Sequence, residues 1–284
     1  MLNRIRRYLR ISLALQRVNG ALARAAATSS LRTIDDTNPL SWEFCGFSQN
    51  CEDGIIDFLT RKLIRPNRYF IEVGSSYGTE NNTSWLAIAR KYNGLMIEAD
   101  EKAFARLSLL FSQGLGIDVQ CLKLMVTPKN VDQILSITLF KDPDVFSLDI
   151  DGNDYYVAKA FLESGLRPKI CVVEYNSAYG PRKSLTISYQ ENLGFLKQSE
   201  NRLYYGASIA GWKSLFERFE YKFITVESQG VNAFFVNPKE FSTDFVQNLR
   251  GSQFQENFSQ LKKFRATWER QFETIKDKEF VTIL

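Results

Sequence analysis

The chain has 284 residues, of which 44% are hydrophobic and 24% are charged, a balance typical of a soluble globular protein and not of a disordered one. Its net charge of +4 is too small to indicate binding to nucleic acid. Because the sequence contains no histidine, imidazole bases and zinc sites with histidine ligands are excluded. Any general base must therefore be Asp, Glu, Lys, Tyr or Cys.

The first 40 residues form a basic segment and a linker. Residues 1–34 contain seven arginines and no Asp or Glu, with apolar residues between the arginines, which predicts a basic helix with an apolar stripe. Gln16, Arg17 and Asn19 interrupt the apolar run, so we expect neither a transmembrane helix nor a secretory signal. Three alternatives remain for this helix: it packs on the domain or a partner, it contacts anionic lipid at the inner face of the membrane, or, in a eukaryote, it is a transit peptide.

Residues 41–241 alternate between strand and helix patterns. The predicted strands are 69–73, 94–98, 119–126, 144–150, 169–174, 221–226 and 233–236. The predicted helices are 52–63, 83–92, 102–113, 131–139, 155–164 and 208–219, and a long amphipathic helix is predicted over 252–278 in a C-terminal tail of residues 242–284. This order predicts parallel strands with right-handed crossovers, covered by helices on both faces. We therefore expect an α/β, Rossmann-like domain with a mostly parallel, seven-stranded sheet whose last strand is antiparallel.

The four cysteines show no spacing typical of a zinc or redox site, because no Cys-x-x-Cys pair occurs. Cys121 and Cys171 lie in apolar runs and are predicted to be buried thiols. A reduced, cytoplasmic protein is therefore expected.

Ligands of an open parallel sheet bind beyond the carboxyl ends of its strands. The first strand leads from Glu72 into a turn with glycines at 74 and 78, where the backbone can approach a ligand closely. Glu98 ends the second strand, where a carboxylate suits a ribose diol. The Gly-x-Gly-x-x-Gly turn that a pyrophosphate prefers is absent, which favours S-adenosylmethionine over a dinucleotide; an ordinary strand-to-helix turn is the alternative. The predicted cofactor-binding residues are Glu72, Gly74, Ser75, Tyr77, Gly78, Glu98 and Asp100.

The ends of the fourth and fifth strands carry a second polar group. Asp149 and Asp151 are two residues apart and point the same way on a strand, and Glu174 and Asn176 end the neighbouring strand. Three interpretations stay open: catalytic acid–base groups formed by Asp149, Asp151 and Glu174, a Mg²⁺ or Ca²⁺ site formed by all four residues, or a structural hydrogen-bond network.

A long irregular stretch over residues 175–205 follows the fifth strand. Its aromatic and basic side chains could stack on sugar rings and bind anionic groups, or they could pack within the loop. These residues are Tyr179, Arg182, Lys183, Tyr189, Phe195, Tyr204 and Tyr205.

Five motifs are similar to those of bacterial proteins near the FkbM-type methyltransferases. They are SQNCEDG (48–54), SLDIDGNDY (147–155), VEYNS (173–177) with Gly180 and Pro181, YGAS (205–208) and GVNAFFV (230–236). The resemblance implies the class I methyltransferase fold, S-adenosylmethionine, and a hydroxyl acceptor of a sugar, glycan or related metabolite. It also implies that Glu72, Gly74 and Glu98 lie beside the cofactor and that Asp149 lies near the reacting centre.

Three hypotheses follow. The first is an S-adenosylmethionine-dependent O-methyltransferase with a small-molecule or glycan substrate and no nucleic-acid partner. The second is a metal-dependent enzyme that uses the same scaffold to act on a nucleotide or glycosyl donor. The third is a catalytically inactive, methyltransferase-like scaffold protein.

Overall fold

The computed structural model describes residues 2–112, 118–191 and 202–284. The strands are β1 (Tyr69–Val73), β2 (Asn93–Glu98), β3 (Val119–Lys123), β4 (Val145–Leu148), β5 (Ile170–Glu174), β6 (Leu185–Ile187), β7 (Lys222–Val226), β8 (Asn232–Val236) and β9 (Phe280–Thr282). Seven of them form one sheet in the order β3-β2-β1-β4-β5-β8-β7. Strands β1 to β5 are parallel, and β8 is antiparallel to both of its neighbours. The expected Rossmann-like α/β fold is therefore confirmed.

Helices cover both faces of this sheet. They are α1 (Leu2–Ser30), α2 (Glu52–Lys62), α3 (Ser84–Ile88), α4 (Glu101–Phe111), α5 (Val131–Ile137), α6 (Asp154–Glu163), α7 (Ile209–Glu217), α8 (Thr243–Asn248), α9 (Phe258–Phe264) and α10 (Trp268–Glu273). Because successive strand residues point to opposite faces, Ile71 packs in the layer with α5, α6 and α7, whereas Phe70 packs in the layer with α1, α2 and α4. The two layers bury the sheet and leave the strand ends open for a ligand site.

The predicted basic helix is confirmed as α1, and its second half packs on the domain. Val18, Ala21 and Ala25 are buried at helical spacing, while Leu9 and Leu13 remain more than half exposed. Within the described residues, no helix combines the length and the apolar character that a membrane crossing requires. Contact between α1 and anionic lipid stays a prediction.

The prediction of one long helix over residues 252–278 is wrong. The segment instead contains α9 and α10, because Arg265 adopts a left-handed conformation with φ of 50° that ends α9. Beyond α10, β9 pairs antiparallel with β6 in a separate two-stranded sheet. The aromatic rings of Phe272 and Phe280 pack against Tyr179, so the C-terminal residues lie on the segment that follows β5.

Most other predicted elements are confirmed, with ends shifted by at most three residues. The helix predicted over 83–92 is the exception, because α3 ends at Ile88 and Lys91 takes a left-handed conformation with φ of 57°. Residue 113, at the end of the predicted helix 102–113, and Phe195 lie outside the described residues.

The cysteines differ from expectation at one place. Cys45 and Cys51 form a disulfide that closes the segment before α2, so the expectation of reduced cysteines is wrong for this pair, whose spacing did not predict it. Cys171 is a buried free thiol as predicted, whereas Cys121 is only partly buried. The disulfide adjoins residues 49, 50 and 52, which face the cavity described below.

Candidate active site

A cavity of about 980 Å³ opens where β1, β2, β4 and β5 end. This is the edge at which ligands of open parallel sheets bind, and the volume lies at the upper end of the usual range for ligand pockets. The predicted site residues that line the cavity are Glu72, Gly74, Tyr77, Glu98, Asp100, Asp149, Asp151 and Glu174. Ser75, Gly78 and Asn176 are not among the residues that line it.

The two glycines of the turn after β1 are needed for packing. Gly74 has φ of +88°, and a Cβ there would collide with the main-chain carbonyl oxygen of Asp149. Gly78 has φ of +73°, and a Cβ there would come within 2.7 Å of Leu107 in α4. Only glycine accepts both the left-handed conformation and the close approach without strain. The turn therefore seats β1 against β4 and α4, and Gly78 contacts protein where a cofactor contact was predicted.

Ser75 also contacts protein and not the cavity. Its side chain is fully buried, and its Oγ donates a hydrogen bond of 3.1 Å to the carbonyl oxygen of Glu72. Ser75 does not line the cavity and its hydroxyl closes the turn on itself, so its contact with a cofactor stays a prediction.

The Glu72 carboxylate holds the loop that precedes α3. It accepts hydrogen bonds from the main-chain N–H of Asn82 at 2.8 Å, from Thr83 Oγ1 at 2.6 Å and from Asn81 Nδ2. Burial raises the pKa of Glu72 to about 7, although these hydrogen bonds oppose the shift. Among the described residues, Asn81 Oδ1 has no hydrogen-bond partner, and Asn81 lines the cavity.

Glu98 links the turn after β1 to the loop after β2. We call this side of the cavity the cofactor side, after the sequence prediction. Its Oε2 accepts from the N–H of Ser76 and its Oε1 from the N–H of Asp100, both at 2.7 Å. Two backbone donors fix the carboxylate at the cavity wall and leave further lone pairs for a ligand. Glu98 is therefore oriented in advance, as a group that binds a diol must be.

The other two predicted residues of this side have contacts of their own. Asp100 caps α4, because its Oδ1 accepts a hydrogen bond of 2.8 Å from the N–H of Ala103. The guanidinium of Arg106 lies 4.7 Å from the centre of the Tyr77 ring. Asp100 is thus a helix cap at the rim of the cavity, a role that was not predicted from the sequence.

Asp149, Asp151 and Glu174 meet at the opposite side of the cavity. Carboxylate oxygens of all three lie within 4.8 Å of one another. Burial and the neighbouring carboxylates Asp151 and Asp154 raise the pKa of Asp149 well above its ordinary value, and burial with Asp149 raises the pKa of Glu174 in the same way. The crowding of Asp149 against Glu174 therefore favours the protonated forms of both carboxyl groups.

Asp154 shapes the turn that carries this cluster. Its two carboxylate oxygens accept hydrogen bonds of 2.8 Å from the N–H groups of Ile150 and Gly152. Asp151 in the same turn is exposed and has φ of 57°. The turn is thereby closed before α6 begins, and Asp149 is held at the end of β4.

Asn176 does not join the carboxylates. Its Nδ2 donates to the carbonyl oxygens of Leu203 at 2.7 Å and Tyr205 at 3.0 Å, and its Oδ1 accepts from the N–H of Ala178. Its amide is fully buried and already hydrogen-bonded, and Asn176 does not line the cavity, so its place among the metal-ligand candidates stays a prediction. Of the four candidates for metal ligands, Asp149, Asp151 and Glu174 line the cavity.

Two residues were missed as individual site residues, and a third, Tyr205, was predicted only to stack on a sugar. Glu52 and Asn232 line the cavity, and Asn232 Nδ2 donates to Glu52 Oε1 at 2.6 Å. The Tyr205 side chain lies beside Glu174, and its hydroxyl accepts a hydrogen bond of 3.0 Å from Gln260 Nε2. The signal for all three was present, because each lies in one of the five motifs and all five motifs supply a residue to the cavity or to Glu174.

The described residues of the stretch 175–205 favour packing within the loop over a surface for stacking on sugars. Tyr179 and Tyr204 are buried in a separate apolar cluster with Ile275 and Leu203. None of the described residues between 175 and 205 lines the cavity. Tyr179 and Tyr204 therefore pack within the protein.

No family model and no curated protein matches this chain. Solved structures with a similar arrangement include an O-methyltransferase from Bacillus cereus in complex with SAH, at 13% identity and a TM-score of 0.42, over 78% of this chain and 89% of that one. The O-methyltransferase TomG from Streptomyces achromogenes, in complex with SAM, is 16% identical with a TM-score of 0.43, over 75% and 93% of the two chains. These likenesses assign neither ligand nor activity to this chain, and its fold rests on the strand order described above.

Proposed function

We propose that this protein is an S-adenosylmethionine-dependent O-methyltransferase that acts on a hydroxyl of a sugar, glycan or related metabolite. The observation that carries the proposal is one cavity with two kinds of carboxylate. Glu98 is fixed by backbone donors at one side, and the carboxylates of Asp149, Asp151 and Glu174 lie within 4.8 Å of one another at the other. A methyltransferase needs one group to hold a nucleoside and another to accept a hydroxyl proton.

The residues of the cofactor side fit S-adenosylmethionine by their chemistry. The oriented carboxylate of Glu98 would accept hydrogen bonds from both ribose hydroxyls. Asn81 Oδ1, buried and without a partner among the described residues, would accept one from the amino group of the methionyl part. A sulfonium and an ammonium also suit a cavity with many acidic groups, whereas a pyrophosphate does not.

When bound, S-adenosylmethionine supplies a methyl group that its sulfonium has already activated. The chain's own task is to orient the acceptor hydroxyl and to take its proton. In this proposal an ionised carboxylate of the Asp149–Glu174 pair accepts that proton and releases it to solvent when the product leaves, with Tyr205 beside Glu174. No histidine is required, in agreement with the composition.

The FkbM-like resemblance supports the same assignment. The motifs that carry it include Glu52, Asp149, Glu174 and Asn232, and these four residues line the cavity. The motifs are spread over 180 residues of sequence, and we would not expect polar side chains from four of them to line one cavity if they served packing alone. We therefore place the chain near that group as part of the proposal.

Calorimetry with S-adenosylhomocysteine tests the proposal. We expect the wild-type protein to bind it and Glu98→Ala to lose most of the binding heat, because the ribose would lose two charge-assisted hydrogen bonds. Glu163→Ala, which removes an exposed acid from α6, is the matched control and should bind normally. Absence of binding to the wild-type protein would exclude the proposal.

A second candidate is favoured by the clustering of Asp149, Asp151 and Glu174, whose oxygens are hard ligands of the type that Mg²⁺ prefers. An enzyme that acts on a nucleotide or glycosyl donor would use such an ion to bind phosphate. It predicts Mg²⁺-dependent binding of a nucleotide sugar and no affinity for S-adenosylhomocysteine. The same calorimetric titrations, with and without Mg²⁺, separate the two candidates.

A further inference from the structure

The cavity continues past the Asp149–Glu174 pair to a wall formed by β8 and the segment before α2. We call the cavity-lining residues Asn50, Glu52, Glu174 and Asn232 the acceptor wall. In the sheet order β2-β1-β4-β5-β8, the start of β8 lies four strands from the end of β2, which is about 19 Å at the usual strand spacing. A ligand on this wall is therefore well separated from the nucleoside held at Glu98.

Glu52 organises the acceptor wall. It is 1% exposed, and it accepts hydrogen bonds from the N–H and the Nδ2 of Asn50 at 2.7 and 2.9 Å and from Asn232 Nδ2 at 2.6 Å. Glu227 behind it accepts the main-chain N–H of Asn232 at 2.9 Å. The donors of the wall are thus directed inward, to acidic groups of the protein.

The acceptor atoms of the wall are left without donors. Asn232 is 4% exposed and lies directly opposite Glu174 in the β5–β8 pair, so the two side chains stand together on one face. Within the described part of the chain, neither Asn232 Oδ1 nor Glu174 Oε2 has a hydrogen-bond partner. Buried acceptors without partners are costly, so a ligand that brings N–H or O–H groups would be stabilised here.

The charge of the whole cavity points the same way. Among its lining residues, nine are acidic and one, Lys102, is basic. At the acceptor wall, where Glu52 and Glu174 are the charged residues, a phosphate or carboxylate on the acceptor would be repelled, whereas an ammonium would be attracted. Charge therefore discriminates among hydroxylated ligands that have similar shapes.

We infer that the acceptor wall binds a polyhydroxylated acceptor that carries an amine and no phosphate, sulfate or carboxylate group, as an unphosphorylated amino sugar does. The inference rests on the proposed function, because it names the substrate class of the same cavity. Its hydroxyl groups would donate to Asn232 Oδ1 and Glu174 Oε2, and its ammonium would lie among the acidic side chains.

The test is a set of calorimetric titrations into the protein already saturated with S-adenosylhomocysteine. We expect glucosamine to bind at least about tenfold more tightly than glucosamine 6-phosphate, and more tightly than N-acetylglucosamine, which lacks the charge. Equal or tighter binding of the phosphorylated sugar, with or without Mg²⁺, would overturn the inference. If S-adenosylhomocysteine itself does not bind, the proposed function fails first, so the two failures are distinguishable.

Two variants locate the effect on the acceptor wall. Glu52→Gln preserves the size of the side chain and removes its charge, so the preference for glucosamine over N-acetylglucosamine should fall, while affinity for S-adenosylhomocysteine stays unchanged. Asn232→Ser removes the unpartnered Oδ1 with a smaller side chain and should weaken both sugars. Glu273→Gln, an exposed acid in α10, is the matched control. An unchanged sugar preference in Glu52→Gln together with unchanged sugar affinities in Asn232→Ser would contradict the inference.

Discussion

The two sides of the cavity use their carboxylates differently. On the cofactor side, Glu72 and Glu98 accept hydrogen bonds from main-chain N–H groups and so hold loops in place. On the opposite side, where the proposal places the proton acceptor and which we call the chemical side, Asp149 and Glu174 crowd together. Glu174 retains a buried oxygen without a partner among the described residues. The first arrangement is a rigid frame, and the second keeps acceptors free for a ligand and for a proton.

The largest effect that would sharpen this comparison is catalytic. Asp149→Asn should lower kcat by about a hundredfold to ten-thousandfold, because the pair that accepts the hydroxyl proton is lost. Affinity for S-adenosylhomocysteine should change little, since Glu98 is untouched. The measurement is formation of S-adenosylhomocysteine from S-adenosylmethionine with an amino-sugar acceptor, alongside calorimetry. An active Asp149→Asn protein would show that the chemical side has been assigned wrongly.

The next largest effect tests the contact between the turn after β1 and the end of β4. Gly74→Ala places a Cβ against the carbonyl oxygen of Asp149 and strains a residue at φ of +88°, so the free energy of unfolding should fall by roughly 3 kcal/mol. Gly165→Ala is the matched control, because Gly165 has φ of +93° but no atom within 4 Å of the added Cβ. Urea unfolding of both variants gives the comparison. Equal losses of stability would mean that contact with β4 contributes nothing.

The buried acids also predict how stability depends on pH. Burial raises the pKa of Glu72 to about 7 and that of Glu227 to about 8, against 4.5 for an exposed Glu. Between these values the folded protein keeps protons that the unfolded chain has released, so the free energy of unfolding falls as pH rises from about 4.5 to 8, by about 1.4 kcal/mol per group and pH unit.

Unfolding in urea at pH 6 and pH 8 measures this slope. Glu227→Gln should flatten it, whereas Glu163→Gln, an exposed acid in α6, should leave it unchanged. A stability that rises between pH 6 and pH 8 would contradict the burial of these carboxyl groups.

The smallest effect concerns Asp100. Because its side chain caps α4, Asp100→Ala should cost about 1 kcal/mol of stability and leave the affinity for S-adenosylhomocysteine nearly intact. Thermal unfolding and calorimetry of the same variant separate the two roles. A large loss of affinity without a loss of stability would return Asp100 to the cofactor side as a ligand residue.

The fold and one edge of the site were predictable from local patterns. Buried parallel strands such as β5 carry apolar runs, here Ile170 to Val173, and polar residues at the carboxyl ends of such strands, such as Glu98 and Asp149, must meet at one edge. The exact ends of elements were less predictable, since Lys91 and Arg265 adopt left-handed conformations that no periodicity indicates.

The roles of single site residues could not be predicted, because they depend on distant partners. Asn232 and Glu52 are 180 positions apart and meet only in the folded protein. Asn176 and Asp100 resemble ligand residues in sequence, yet the side chains of both are hydrogen-bonded to main-chain groups of the protein. Such assignments require knowing which donors reach each acceptor, and only the tertiary structure provides that.

A crystal structure of the protein with S-adenosylhomocysteine tests the central claim most directly. We predict both ribose hydroxyls within hydrogen-bonding distance of the Glu98 carboxylate, with the sulfur facing Asp149 and Glu174 across the cavity. A ligand bound elsewhere, or bound in this cavity with its ribose away from Glu98, would contradict the account.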